Sequence, residues 1–292
     1  MDQGMDRGHD SLMKTTGSTQ RWLFAAPLVF LVVFFVYPIV RIMIVSFSGE
    51  AGFVDAFRTV MTTASLRGTA WFTLWQALAS TVLTVVVAFP AAALVGRYQF
   101  VGRKLFLSLL TIPFVMPTVV VGAAFLALLG PDGPLGIDLR RSVTAILIAH
   151  VFYNYAVVVR TVGGNWANLD RKTEEAARVL GAGPWQAFRR VTLPQLMPSV
   201  RAAASIVFLF TFTSFGVVLL LGGFGINTIE VIIFREATVN LDLTVAAALA
   251  LVQIVGVAGA IYVYGRSGHR PIERTVSARA SVLRPVRGLP AR

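Results

Sequence analysis

The stretch Glu174-Glu175-Ala176-Ala177-Arg178-Val179-Leu180-Gly181-Ala182-Gly183-Pro184, closed by Val191-Thr192-Leu193-Pro194, is an island of polar and punctuating residues in a mostly apolar chain. Its local chemistry predicts a short helix. Asp170 or Thr173 can cap the helix, and acidic residues in its first turn suit the positive end of the helix dipole. Glu174 and Arg178 are four apart, in the favourable order for an ion pair. Gly181 is a natural C-terminal stop, and Pro184 can open the next turn. Trp185 and Phe188 share a face of a second short helix, which Pro194 is expected to break.

Around this island the composition is that of a membrane protein. Of 292 residues, 56% are hydrophobic and 14% charged, against about 25% charged in soluble domains. The mean hydropathy is +0.73. The absence of cysteine excludes a disulfide framework and thiolate chemistry. Six apolar runs have the roughly 20 residues that a bilayer crossing needs. They fall at about Trp22–Ser46, Trp71–Val95, Leu105–Leu129, Val143–Val162, Ala202–Leu221 and Leu243–Tyr264. Residues 1–20 are polar, and the first run is too long and lacks the cleavage site of a signal peptide. Pro27, Pro38, Pro90, Pro113 and Pro117 lie in or near these runs, which requires neighbouring helices or waters to satisfy the freed carbonyls. The fold class is therefore an all-α polytopic bundle of six transmembrane helices. A cytoplasmic tail covers 1–21, the membrane domain 22–264, and a basic cytoplasmic tail 265–292. The latter is expected to be disordered or membrane-skimming.

The charges set the orientation. With the N-terminus inside, 20 of the 26 Lys and Arg residues fall in the two tails, the 96–104 loop and the 163–201 loop with Arg160. This bias selects both termini inside. It also accounts for the net charge of +12 without nucleic acid. On the outer side, residues 130–141 form a turn cluster, and Thr228–Phe234 is an amphipathic piece suited to an interface.

Catalytic and energy-coupling motifs are missing. No GxxxxGK[ST] phosphate loop, HExxH, Cys/His cluster or GxSxG occurs. His9, His150 and His269 are far apart, and only His150 lies in an apolar run. No Asp or Glu falls within a run, which argues against a proton- or sodium-coupled pump and a membrane metalloenzyme. Energy must then enter from another chain. The 163–201 loop is the place for it: Ala176, Ala177, Val179, Leu180, Trp185 and Phe188 present apolar faces outside the bilayer, and small alanines let a helix sit deep in a partner's groove.

This loop resembles the EAA loop of permease subunits of binding-protein-dependent ABC importers. Glu175-Ala176-Ala177, three residues, Gly181, nine residues, then Val191-Thr192-Leu193-Pro194 follow that pattern, with Val191 in place of the usual Ile. Ala145–Asn154, Thr213–Gly223 with Thr228-Ile229-Glu230, Asp242 with Ala246–Gln253, and Trp75-Gln76-Ala77 resemble thiamine-type permeases, with ferric-iron and polyamine permeases close by. Thiamine and many ferric-iron permeases fuse two such halves, of which this chain resembles the N-terminal one.

The resemblance implies a type I ABC importer permease fold in a bacterial inner membrane. Coupling to the ATPase would rest on Glu174, Glu175, Ala176, Ala177, Gly181, Val191, Leu193 and Pro194. Further implications are a cytosolic ATPase dimer carrying ATP and Mg, a second permease subunit or second copy, and an extracytoplasmic binding protein. No cofactor is expected on this chain, which would not itself be an enzyme. Thiamine is the first substrate expectation and ferric iron or a polyamine the alternative. Gln76, His150, Tyr153, Asn154 and Ser214 are candidates for the translocation path, although such residues also serve as interhelical hydrogen bonds. The rival class is an ATP-independent secondary carrier or assembly factor.

Overall fold

The computed structural model describes residue 25 and residues 27–47, 53–134 and 136–266. The expected N-terminal tail and residues 267–292 of the expected C-terminal tail, with His9 and His269, lie outside the described residues, as do residues 22–24, whereas Gly265 and Arg266 of that tail close the last helix. Among the described residues every regular element is a helix: α1 (Tyr37–Phe47), α2 (Phe53–Thr62), α3 (Ala64–Arg97), α4 (Arg103–Val115), α5 (Thr118–Leu128), α6 (Val143–Ala167), α7 (Arg171–Val179), α8 (Pro184–Ala187), α9 (Leu193–Phe212), α10 (Gly216–Leu221), α11 (Ile229–Arg235) and α12 (Leu243–Arg266). Short π-helical turns occupy Val32–Val36, Phe188–Thr192 and Glu236–Asn240.

The second, fourth and sixth apolar runs are single spanning helices, α3, α6 and α12. Ser142 caps α6 by accepting from the Ala145 amide at 3.2 Å. Asp242 caps α12 through the amides of Thr244 and Val245 at 3.1 and 2.9 Å. The first run carries a shorter apolar helix at Pro27–Arg41.

Two runs depart from the straight spans expected of them. The third is a bent pair: α4 and α5 meet at 100°. Met116 and Pro117 are extended at the corner, with ψ 143° and 134°. The residue before a proline is pushed out of the helical region, and Pro117 has no amide to continue the ladder. The fifth begins earlier and ends sooner than Ala202–Leu221: one helical run extends over Pro184–Phe212, stops at Thr213 and resumes as α10. At the stop, the Thr213 hydroxyl donates to the Leu209 carbonyl at 2.8 Å, a local bond that competes with the ladder.

The expected break at Pro194 is absent. The π turn Phe188–Thr192 closes with the Leu193 amide donating to the Phe188 carbonyl. That wider turn loosens the ladder just before the proline, whose ring would otherwise press on the carbonyl four residues back. The same device precedes Pro38, where the Tyr37 amide donates to Val32.

The chain divides into two compact units, Met1–Trp71 with Asn227–Gln253, and Phe72–Ile226 with Ile254–Arg292. The larger has a core of Ala88, Ala92, Val95, Val158, Val159, Val162, Trp166, Leu196, Ala203 and Val207, from α3, α6 and α9. Close approach there rests on small residues at four-residue spacing, as membrane helix pairs favour. A Cβ at Gly96 would lie 2.5 Å from the Trp166 Cβ and 3.0 Å from the Gly163 carbonyl oxygen. Gly164, one residue on, has nothing within 4 Å of that position. Gly96→Val is therefore expected to cost about 1–3 kcal/mol by overpacking. Monodisperse protein recovered in detergent should fall sharply for Gly96→Val and stay near wild type for Gly164→Val. In the smaller unit, Val60, Ile229, Ala248 and Leu249 form the buried cluster.

Candidate functional site

The polar island folds as its residue types predict. Asp170 caps α7, its carboxylate accepting from the Lys172 amide at 3.0 Å. At the other end the Ala182 amide donates to Ala177 O at 3.0 Å and the Gly181 amide to Arg178 O at 3.0 Å. This paired closure requires a left-handed residue, and Gly181 supplies it at φ +90°. Pro184 then opens α8 at its first position.

Apolar side chains around this turn are left uncovered. Val179 is 87% exposed, Leu180 88% and Trp185 70%. Glu175 is exposed beside them and has no hydrogen bond or ion pair among the described residues. Ala176 is exposed and Ala177 half-buried; Val191 and Leu193 are half-buried and Pro194 exposed.

Glu174 behaves differently from its neighbour. The expected ion pair with Arg178 is not formed. Its Oε2 accepts instead from the Arg97 guanidinium at the end of α3, and from the Thr192 hydroxyl at 2.9 Å. Arg97 reaches it because the C-terminal end of α3 lies beside α7, 77 residues away in sequence. The same guanidinium lies 5.3 Å from the Trp166 ring centroid, within the range of a cation–π contact. Arg171 of α7 in turn donates to the Arg97 carbonyl. A cleft of about 210 Å³ lies among Arg97, Trp166, Asp170, Glu174 and Thr192.

An aromatic chain continues from this clamp. Trp166 stacks on Phe188 at 6.0 Å and Phe188 on Trp185 at 5.4 Å. Phe89 of α3 lies 5.3 Å from Trp166 and 6.2 Å from Phe188. The shared face of Trp185 and Phe188 is thus present, and it joins the exposed edge to α3 and α6. Arg97, Trp166 and Thr192 carry no motif that would single them out in the sequence.

The path candidates separate into two groups. His150 is buried on α6, with Nδ1 2.9 Å from Ser80 Oγ on α3 and Nε2 2.8 Å from Ser214 Oγ at the end of the broken span. Gln76 donates to the carbonyls of Thr211 at 2.8 Å and Thr73 at 3.1 Å. Asn154 donates to the His150 carbonyl at 3.0 Å. These four candidates are all buried, and Gln76, His150 and Ser214 tie α3, α6 and the end of α9 together. Ser80, four residues from Gln76 on α3, and Thr211, in the last turn of α9 before Ser214, belong to the same network. Tyr153 stands apart: it is half-buried, its ring 5.6 Å from Phe114, which also meets Phe210 at 5.4 Å. Among the described residues no three His, Asp or Glu side chains are grouped as metal ligands.

Comparison with known proteins gives a consistent set of relatives. The family described as "Binding-protein-dependent transport system inner membrane component" matches residues 88–267. A chain named "Putative 2-aminoethylphosphonate transport system permease protein PhnU", from Salmonella paratyphi A, is 27% identical over 265 residues, covering 85% of this chain and 91% of that one. The thiamine transport system permease protein ThiP of Salmonella typhimurium is 32% identical over 211 residues, covering 68% of this chain but 39% of its own length. Among solved structures, a bacterial alginate ABC transporter in complex with its pentasaccharide-bound periplasmic protein aligns with a TM-score of 0.70 at 18% identity, over 87% of this chain and 96% of that one. The inward-facing MetNI methionine ABC transporter aligns with a TM-score of 0.56 at 20% identity, over 70% and 95%.

Proposed function

This chain belongs to the family of binding-protein-dependent transport system inner membrane components, and from that premise we propose that it carries a small organic solute with a positively charged nitrogen, thiamine first, into the cell. The chain is a membrane permease of the ABC importer class. The reading of the solute draws on what two relatives are named for. Thiamine carries a thiazolium, and 2-aminoethylphosphonate carries an ammonium group at neutral pH.

In this reading the loops at 163–201 face the cytosol, and the edge made by Glu175, Ala176, Val179, Leu180 and Trp185 docks in a separate ATPase subunit. Their exposure on a capped helix and the turn after it is the observation that carries the proposal. A Val or Leu side chain gains about 1.5–3 kcal/mol on full burial, so this edge supplies a substantial gross driving force for docking. ATP-driven closure of the ATPase pair moves α7. The Arg97–Glu174–Thr192 clamp and the Trp166–Phe188 stack pass that movement to α3, α6 and α9. The energetic link is the difference in contact free energy between this edge and two ATPase states. Tyr153, half-exposed beside Phe114, lines the solute path, whereas Gln76, His150, Asn154 and Ser214 hold helices together. A second permease chain or second copy completes the path, and a binding protein delivers the solute from the other side.

The test is uptake into vesicles that hold the chain with its ATPase and binding protein. ATP-dependent accumulation of thiamine is expected. Uptake that persists with the ATPase inactivated would instead support a secondary carrier, and ATP-dependent uptake of ferric iron alone would overturn the solute assignment.

A further inference from the structure

Glu230 lies on α11, a seven-residue helix between the last two spans and too short to cross a bilayer itself. Its Oε1 accepts from Nε2 of Gln253 at 2.7 Å. Gln253 stands ten residues into α12, which begins at Leu243. At the helical rise this is about 15 Å along a span roughly 36 Å long. Glu230 is therefore held level with the middle of the last span, although no apolar run contains a carboxylate.

Two acceptors at this depth lack a donor. Oε2 of Glu230 has no hydrogen-bonding partner among the described residues. Gln253 is 5% exposed, and its Oε1 is buried with no partner among them either. No cation among the described residues pairs with Glu230. The ion pairs among the described residues are Arg97–Glu174 and Arg140–Asp138, and Arg235, on the same helix, reaches Asn227 at 3.5 Å. The surroundings are apolar: Ile229, Ile232, Ile233, Leu249 and Val252 belong to the adjoining core. Glu230 is half-buried beside these side chains, where the charged form of a carboxylate is costly unless a cation meets it, and the low-dielectric walls strengthen that attraction. Ionisable groups at mid-membrane depth mark solute and ion pathways, and transporter substrate sites lie near the midplane.

We propose that Glu230 and Gln253 form a recognition site for the positively charged nitrogen of the transported solute. The carboxylate supplies the charge, and Gln253 Oε1 adds a second negative pole, which accepts an N–H from an ammonium group and faces a quaternary nitrogen through its charge alone. The inference rests on the functional reading above and names the residues that recognise the shared chemistry of thiamine and 2-aminoethylphosphonate. An Arg or Lys of a partner protein is the competing occupant, and the experiment distinguishes it.

The complete transporter, with ATPase and saturating loaded binding protein, is compared as wild type, Glu230→Gln and Glu230→Asp in vesicles. Solute uptake and ATP hydrolysis are read together. Glu230→Gln, which keeps the size and the hydrogen bond with Gln253, is expected to lower uptake of either solute tenfold or more. Hydrolysis stimulated by the binding protein should stay within twofold of wild type. Glu230→Asp should retain more uptake than Glu230→Gln. Unchanged uptake in Glu230→Gln, or equal loss in both variants, would overturn the site. Loss of uptake together with dissociation of the subunits or the binding protein would also overturn it, assigning Glu230 to a partner's cation. A wild-type complex that imports only a solute lacking a cationic nitrogen would remove the solute reading and this site together, whereas normal wild-type import with an indifferent Glu230→Gln removes the site alone.

Discussion

Reversing the charge at Arg97 alone or at Glu174 alone is expected to lower uptake at least tenfold, and reversing both in one chain to restore a substantial part of it. Either Arg97→Glu or Glu174→Arg places two like charges where the structure has an ion pair, on groups with 32% and 22% of their side-chain surface exposed. At that burial water screens the pair only partly, so the repulsion is felt. The result is a loop held away from the end of α3. The double variant puts a carboxylate on α3 opposite a guanidinium on α7. Restoration should remain partial for two reasons. The cation–π contact with Trp166 needs the guanidinium on α3, and the Thr192 hydroxyl needs an acceptor at position 174. The readout that separates a transmitting role from a merely structural one is solute moved per ATP hydrolysed. The single variants should still retain the ATPase on purification, because Glu175 and the apolar edge are untouched, yet hydrolyse ATP with little uptake. Equal behaviour of single and double variants would remove the clamp from the mechanism.

The second large effect is expected at the exposed edge. Glu175→Lys, and separately Leu180→Asp, should abolish co-purification of the ATPase and uptake together, with membrane insertion and yield unchanged. Leu180 is 88% exposed, so a polar replacement there costs the free chain almost nothing and acts only when the edge is to be buried. Gly181 refines the expectation. A Cβ there meets nothing within 4 Å, but the backbone sits at φ +90°, so the penalty is conformational and not steric. Asn tolerates that region, whereas a β-branched residue loses about 1–2 kcal/mol. Gly181→Asn should therefore keep much of the uptake, and Gly181→Val should behave as the edge variants do. Retained ATPase association in Glu175→Lys and Leu180→Asp would place the coupling contact elsewhere.

Much of the architecture was legible in local patterns. The spans of α3, α6 and α12 follow from run length and hydropathy, and they extend beyond the expected ends by as much as seven residues at the start of α3. The capping of α7 by Asp170 and its closure at Gly181 follow from residue types within one turn. Breaks were harder to read. Met116-Pro117 in the sequence is equally compatible with a mild kink, and the packing of α10 against α5 accompanies the sharp turn that the proline permits. A Cβ at Gly216 would come within 2.6 Å of the Thr118 hydroxyl and the Val119 amide nitrogen, so α10 lies directly on α5. Pro194 misled in the opposite direction, because a π turn before it carries the helix through.

The sequence by itself determined that this chain is a membrane helix bundle, that its Lys and Arg residues gather in the tails and in the 96–104 and 163–201 segments, and that a polar, capped helix stands among its apolar runs. Those conclusions rest on composition, run length and spacing, which are properties of neighbouring residues. Only the tertiary structure decided what Glu174 and Glu230 meet. Two glutamates that look like ordinary loop residues become a clamp onto Arg97, 77 residues away, and a carboxylate level with the middle of the last span, 23 residues from its Gln253 partner. Periodicity states which face of a helix a residue occupies. The partner that face meets, and the depth at which they meet, depend on how helices from distant parts of the chain pack.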